Sequence, residues 1–201
     1  GPQRGRKEAK AMLRNIALAA CIAVTGACLA DETPVPNGGF EESAQEGIPQ
    51  WQRTVVRRYG SIELATQDAH GGSTCVRVRN SGRGPWYLRS QHIDVADPGR
   101  YHVASGWAKI TTGSVRVRIV AVSAQGKKTT LKGEVLSGDG AGNEWARLQT
   151  TRMVPEGSER LYVEFYGDGD TDLLIDDVTV GLWRQPTGTK VSGYASQRVT
   201  E

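Results

Sequence analysis

Residues 173–180, LLIDDVTV, constrain this chain more than any other stretch. Side chains alternate between faces along a strand. Leu174, Asp176, Val178 and Val180 therefore share one parity, and Leu173, Ile175, Asp177 and Thr179 the other. This predicts that Asp176 points inward among three aliphatic residues, where a carboxylate is costly unless it is paired or hydrogen-bonded. Upstream, Asn37-Gly38-Gly39-Phe40-Glu41 and Asp68-Ala69-His70-Gly71-Gly72-Ser73 supply two further oxygen-rich turns. Hard cations take oxygen ligands of this kind. One structural Ca²⁺, held by Glu41, Asp176 and carbonyls of the 68–72 turn, would tie the first strand to the last, with the Asp68 carboxylate as a further candidate ligand. The alternative is an Asp176 held by backbone N–H groups or an arginine, and residue types alone do not choose between the two.

The rest of the chain is punctuated by turns. Strands are predicted over 60–66, 74–79, 86–95, 99–110, 114–123, 144–151, 160–166 and 173–182, separated by glycine-, proline- and Asx-rich segments. No window of a dozen residues holds helical periodicity. Gly167-Asp168-Gly169-Asp170 reads as a hairpin turn, since it lacks the later glutamate of a calcium loop. About eight strands at this spacing make an all-β, two-sheet sandwich the simplest architecture. One domain over 31–183 follows, with a polar tail or linker stub over 184–201.

Residues 1–30 read as an export leader. Met12-Leu13-Arg14-Asn15 precedes IALAACIAVTGACLA, a short apolar run ending in small residues, which suits a signal peptide and is too short for a membrane span. Cleavage after Ala30 fits, and Thr25-Gly26-Ala27-Cys28 offers lipid attachment at Cys28 as the alternative. The chain carries 25 basic and 22 acidic residues, of which five and one fall in the leader, leaving 20 against 21. The basic balance belongs to export and is no argument for nucleic acid. Only Cys75 survives cleavage, so no internal disulfide is expected.

Catalytic chemistry has little to stand on. Asp176-Asp177 and Glu41-Glu42 are paired carboxylates, yet neighbours in a strand face opposite ways and cannot straddle one glycosidic bond. No metal-ligand spacing joins His70, His92 and His102. Aromatics are more telling, with five Trp and six Tyr against two Phe. Trp51 leads into a strand and is predicted to pack in the core. Trp107 and Trp145 fit core or groove, with the core favoured. Trp86-Tyr87 follows Gly82-Arg83-Gly84-Pro85, which places the pair at an edge. In LYVEFYG, Leu161, Val163 and Phe165 form one face and Tyr162, Glu164 and Tyr166 the other.

NGGFEE, Trp51, DAHGGSTCVRV, PGRYHVASGWAK and LYVEFYGDGDTDLLIDDVTV, in that order, resemble non-catalytic carbohydrate-binding modules of families 4, 9 and 22. The resemblance spans roughly residues 34–183 and implies a jelly roll of the galactose-binding type. It also implies a sugar site on the concave sheet, with an aromatic near Trp86 and an acid near Glu164. The expected site is therefore Trp86, Glu164 and Tyr166, with Tyr87 and Tyr162 in reserve and Glu164 accepting hydroxyl hydrogen bonds. The Trp86 ring should stand largely exposed without ligand.

Three functional readings follow: a secreted or surface-tethered glycan-binding module, an adhesive jelly roll with a protein partner, or part of a larger enzyme. Val76-Arg77-Val78-Arg79 and Val115-Arg116-Val117-Arg118 put paired guanidinium groups opposite their valines. Were these strands neighbours on the groove side, they would suit carboxylated or sulfated glycans. The alternative is a solvated outer face.

Overall fold

The computed structural model describes residues 31–138 and 143–184. The expected leader with its Cys28 site, and all of the expected tail beyond Arg184, lie outside the described residues. The described strands are β1 (Asp31–Pro34), β2 (Trp51–Thr54), β3 (Gly60–Ala65), β4 (Cys75–Ser81), β5 (Trp86–Ser90), β6 (Ile93–Asp94), β7 (Tyr101–Thr112), β8 (Ser114–Ser123), β9 (Lys128–Ser137), β10 (Trp145–Met153), β11 (Ser158–Gly167) and β12 (Asp170–Leu182).

They form two antiparallel sheets. The first runs β10-β7-β12-β4-β3 with β1 also on β12, and the second runs β2-β5-β11-β8-β9 with β6 also on β11. The expected all-β sandwich is the observed architecture. The chain repeatedly changes sheet, as in a jelly roll. The 167–170 segment is one such crossing and not the expected hairpin, because β11 and β12 lie in different sheets. The arginine strands are also parted, β4 in the first sheet and β8 in the second. Strand β9 escaped the sequence reading because it is an edge strand, mostly exposed, and its pairing with β8 slips between Val117 and Ile119. Exposed edges of this kind, with lysines, carry no clean alternation.

Alternation elsewhere fills the core. The second sheet contributes Trp86, Leu88, Val117, Ile119, Leu161, Val163 and Phe165; the first contributes Val76, Val78, Ala104, Ala108, Ile110, Leu173 and Ile175. A Cβ on Gly106 would lie 2.8 Å from Phe165 Cζ, so the bare backbone there lets the sheets close. Trp51 is in this core, as expected.

The alternation of core residues breaks within LLIDDVTV. Leu173 and Ile175 point inward, and so do Val178 and Val180. Asp176 lies opposite Trp107 and Thr179 opposite Ser105, so β12 spends three steps where β7 spends two. That extra residue is a β-bulge, with Asp177 at φ 48°. Asp176 therefore belongs to the outer parity with Leu174, and not with the core aliphatics as the uninterrupted pattern predicts.

Trp86 also departs from expectation. Its ring has no exposure, and its Nε1 donates to Thr171 Oγ1 at 3.3 Å. The glycine-rich loop lifts Tyr87, not Trp86, to the outer face. Trp86→Ala is expected to cost about 3–5 kcal/mol of stability, as for other buried aromatics. Tyr87→Ala should cost much less, and chemical denaturation of the two variants checks the difference.

Candidate functional site

The outer face of the second sheet gathers the chemistry. The parity that sends Leu161, Val163 and Phe165 inward sends Tyr162, Glu164 and Tyr166 outward. Arg89 on β5 and Arg118 on β8 both stand in register with Glu164. Tyr87 and Arg116 flank Tyr166 in the same way. Two adjacent rungs result, one Arg–Glu–Arg and one Tyr–Tyr–Arg.

Glu164 is fully buried beneath its neighbours. Its Oε2 accepts from Arg89 Nε at 2.8 Å and Nη2 at 2.5 Å, and its Oε1 accepts from Arg118 Nε at 2.6 Å, with Arg118 Nη2 beside it. Charge-assisted bonds to both oxygens make such a carboxylate affordable in a low-dielectric site. The expected role of Glu164 as an acceptor for sugar hydroxyls is thereby corrected, since both oxygens are already served.

The guanidinium groups in turn lie over tyrosines. Arg118 Cζ is 4.2 Å from the Tyr166 centroid and 5.9 Å from that of Tyr87. Arg116 is 5.8 Å from Tyr166, and Arg89 is 4.6 Å from Tyr162. Both distances are within cation–π range. The Tyr87 and Tyr166 rings are parallel within 14°, with centroids 6.3 Å apart. Both rings are half-buried, whereas Tyr162 is 3 % exposed and packs on Val120 and Val122. Tyr162 is thus floor more than platform. Burial lowers the pKa of nearby His92, and Arg160, Lys128 and Arg89 lower it further, which marks this face as cationic.

Of the expected sugar residues, Tyr87, Tyr162, Glu164 and Tyr166 share this face, and Trp86 does not. Arg89 was missed. Its signal was legible, two residues after Tyr87 in WYLRS and so on the same face. The arginines of β4 sit elsewhere, with Arg77 Nε and Nη2 on Asp172 at 3.0 and 2.8 Å.

The expected metal residues surround the 68–74 loop on the outer side of the first sheet. Asp176 is fully buried, with Oδ2 accepting the N–H groups of His70 and Gly71 at 2.8 and 3.1 Å and Oδ1 accepting that of Asp177 at 2.8 Å. Glu41 grips the other side of the loop: Oε1 accepts from the N–H groups of Ser73 and Thr74, both at 2.9 Å, and Oε2 from Ser73 Oγ at 2.7 Å. The Asp68 carboxylate is exposed and sits 3.5 Å from Lys109 Nζ. Among the described residues, no three His, Cys, Asp or Glu side chains form a metal-binding group. Asp176 is thus held by backbone N–H groups, one of the two arrangements the sequence left open, and the Asp68 carboxylate lies beside Lys109.

His70 closes the loop over Trp107, with ring centroids 4.1 Å apart and planes within 16°, and its Nδ1 is 2.6 Å from Asp177 Oδ2. Trp145 meets the same histidine edge-on at 5.4 Å. Trp107 and Trp145 are thus half-buried on the outer face, where the sequence favoured the core.

The two loop carboxylates titrate in opposite senses. Burial raises Asp176 from 3.8 to about 6, against its backbone N–H donors and with Asp177 adding to the rise. The Ser73 hydroxyl, then the Thr74 and Ser73 N–H groups, hold Glu41 down at about 2. Between the unfolded and folded values of Asp176 the native state binds the extra proton, so this group makes stability fall as pH rises through that window. Glu41 contributes stability above its unfolded value and loses it as pH falls toward its folded one. In chelator, Asp176→Asn is expected to abolish the decline between pH 4 and 6 and to keep the acid loss below it, as thermal melts across pH will report.

No family model and no curated protein matches this sequence. Solved structures do. The CBM22-1 xylan-binding domain of Paenibacillus barcinonensis Xyn10C is 16 % identical with a TM-score of 0.53, covering 78 % of this chain and 97 % of its own. A family 4 carbohydrate-binding module is 18 % identical with a TM-score of 0.52, over 74 % of this chain and 99 % of its own. The enzymatically active domain of bacteriophage CBA120 tailspike protein 4 is 22 % identical with a TM-score of 0.59, over 74 % of this chain, which spans only 21 % of the tailspike chain. The fold is that of the jelly-roll carbohydrate-binding modules.

Proposed function

We propose that the outer face of the second sheet binds a polysaccharide or oligosaccharide and that the protein is a non-catalytic, extracytoplasmic binding module. The observation that carries this reading is the Tyr87–Tyr166 pair, parallel rings in register on neighbouring strands with the Arg118 guanidinium lying over Tyr166. A sugar presents an apolar C–H face for stacking and hydroxyls for a few fixed polar groups, which suits aromatic side chains on a rigid sheet. The likeness in fold to modules described as binding xylan supports it. Binding without catalysis is favoured because Glu164 has both oxygens committed to arginines. Export rests on the expected leader, with or without a lipid on Cys28. No described helix is long and apolar enough to cross a membrane. The tailspike likeness favours a second reading, in which the module is one part of a larger enzyme.

A panel of soluble and insoluble glycans, titrated against the protein and against Tyr87→Ala and Tyr166→Ala, tests the reading. Each substitution should cost about 1.5–3 kcal/mol of binding, the scale of burying a large apolar side chain, with the melting temperature nearly unchanged. Normal binding by both variants would place the site elsewhere. Glu164→Ala is a poor probe, because it strands two guanidinium groups against each other.

We also propose that Glu41 and Asp176 take one structural Ca²⁺ with carbonyls of the 68–72 turn. Support comes from Asp176, a fully buried carboxylate with no ion pair among the described residues and with Asp177 beside it. A cation bound only by the folded state raises stability with the logarithm of its free concentration. Melting temperature should rise in calcium over excess chelator, and Asp176→Asn should remove the rise. Equal melts in the two conditions reject the site.

A further inference from the structure

We infer that the glycan taken by this face is anionic, carrying carboxylate or sulfate groups that meet Arg116 and the outward edges of Arg89 and Arg118. The inference rests on the proposal that this face binds a glycan.

The donor–acceptor balance is the first reason. Glu164, the carboxylate in the centre of the face, has both oxygens filled by Arg89 and Arg118. Each guanidinium carries five N–H donors and no acceptor. The described contacts to Glu164 engage only Nε and Nη2 of each arginine. What faces a ligand is therefore richer in donors than in acceptors, even with tyrosine hydroxyls able to accept as well as donate. A neutral sugar hydroxyl brings a donor with every acceptor and uses this excess only in part. Carboxylate and sulfate bring acceptors alone.

Charge is the second reason. Arg89, Arg116, Arg118 and Lys128 gather around the three tyrosines. Against them stand the buried Glu164 and the exposed Asp168, 3.8 Å from Arg116. On the outer face of the first sheet, Arg77, Arg79 and Lys109 stand against as many carboxylates, Asp172, Glu63 and Asp68, whereas the four cations around the tyrosines face two. The cationic excess thus coincides with the tyrosine platform. Covering guanidinium groups with a neutral chain replaces their water with hydroxyl acceptors that carry no countercharge, whereas an anion also supplies the charge. The groups are also preorganised, Arg89 and Arg118 by Glu164 and by the Tyr162 and Tyr166 rings they lie over, so little ordering remains to oppose binding.

The test pairs each charged polymer with its own neutral counterpart at physiological ionic strength: polygalacturonate with its methyl ester, alginate with its carboxyl-reduced form, and chondroitin sulfate and dextran sulfate with their desulfated forms. At least one charged polymer should bind about tenfold or more tightly than its counterpart, the scale of one charge-assisted hydrogen bond. The pair showing the preference identifies carboxylate or sulfate. Arg116→Gln, on a side chain about one-third exposed, should remove most of the preference without lowering the melting temperature, and Arg116→Lys should restore part of it. Arg77→Gln with Arg79→Gln should leave the preference intact. The inference is overturned if charged and neutral forms bind alike, if Arg116→Gln keeps the preference, or if the first-sheet pair abolishes it equally. Binding to neutral glycans with no such preference overturns this inference and keeps the broader proposal; binding to no glycan overturns both.

Discussion

A carboxylate buried without a countercharge organises the first sheet. Asp176 stands in β12, the central strand, which pairs with β1, β4 and β7. Its oxygens are served by three main-chain N–H groups, two of them contributed by a loop more than a hundred residues away in sequence. The bulge that carries it is held from the other end of the chain. Val178 donates to Gly38 O at 2.9 Å and accepts from Val35 N at 3.1 Å. A Cβ on Gly38 would fall 2.3 Å from Val178 O, so only glycine lets this turn press onto the strand. The first turn, the 68–74 loop and the last strand are thus one unit, because each supplies what the others would otherwise leave unsatisfied.

The two buried carboxylates are stabilised by different means, and the difference bears on function. Glu164 is met by two full positive charges in cross-strand register and fixes the arginines around it. Asp176 is met by dipoles, which offset only part of the desolvation and leave its pKa raised. The acid at the centre of the second sheet is best understood as scaffold: it aims the Arg89 and Arg118 guanidinium groups.

Much of this was legible in the sequence. Period-two patterning in 160–166 and 114–118 separates core from surface correctly and puts Tyr162, Glu164 and Tyr166 on one face. Two features were not legible. Residue types in LLIDDVTV give no sign of where a strand takes an extra step, and one such step reverses every side chain beyond it. Trp86 and Tyr87 are neighbours of similar character, and which of them turns inward depends on the register of β5 against β11 (Gly167 opposite Trp86, Tyr166 opposite Tyr87). Local sequence fixes the alternation but not its phase, which comes from pairing with a distant strand.

The same register explains why so varied a face can sit on an ordinary sandwich. Jelly rolls host many functions, so the fold alone leaves the ligand open. Here the inner residues of β5, β8 and β11 are committed to core packing, and the outer ones are free to vary with only cross-strand neighbours to satisfy. Placing arginine opposite glutamate and tyrosine opposite tyrosine meets that demand internally, before any ligand arrives. The result is a face whose charges are already oriented by one another, with more cations than carboxylates around its tyrosines.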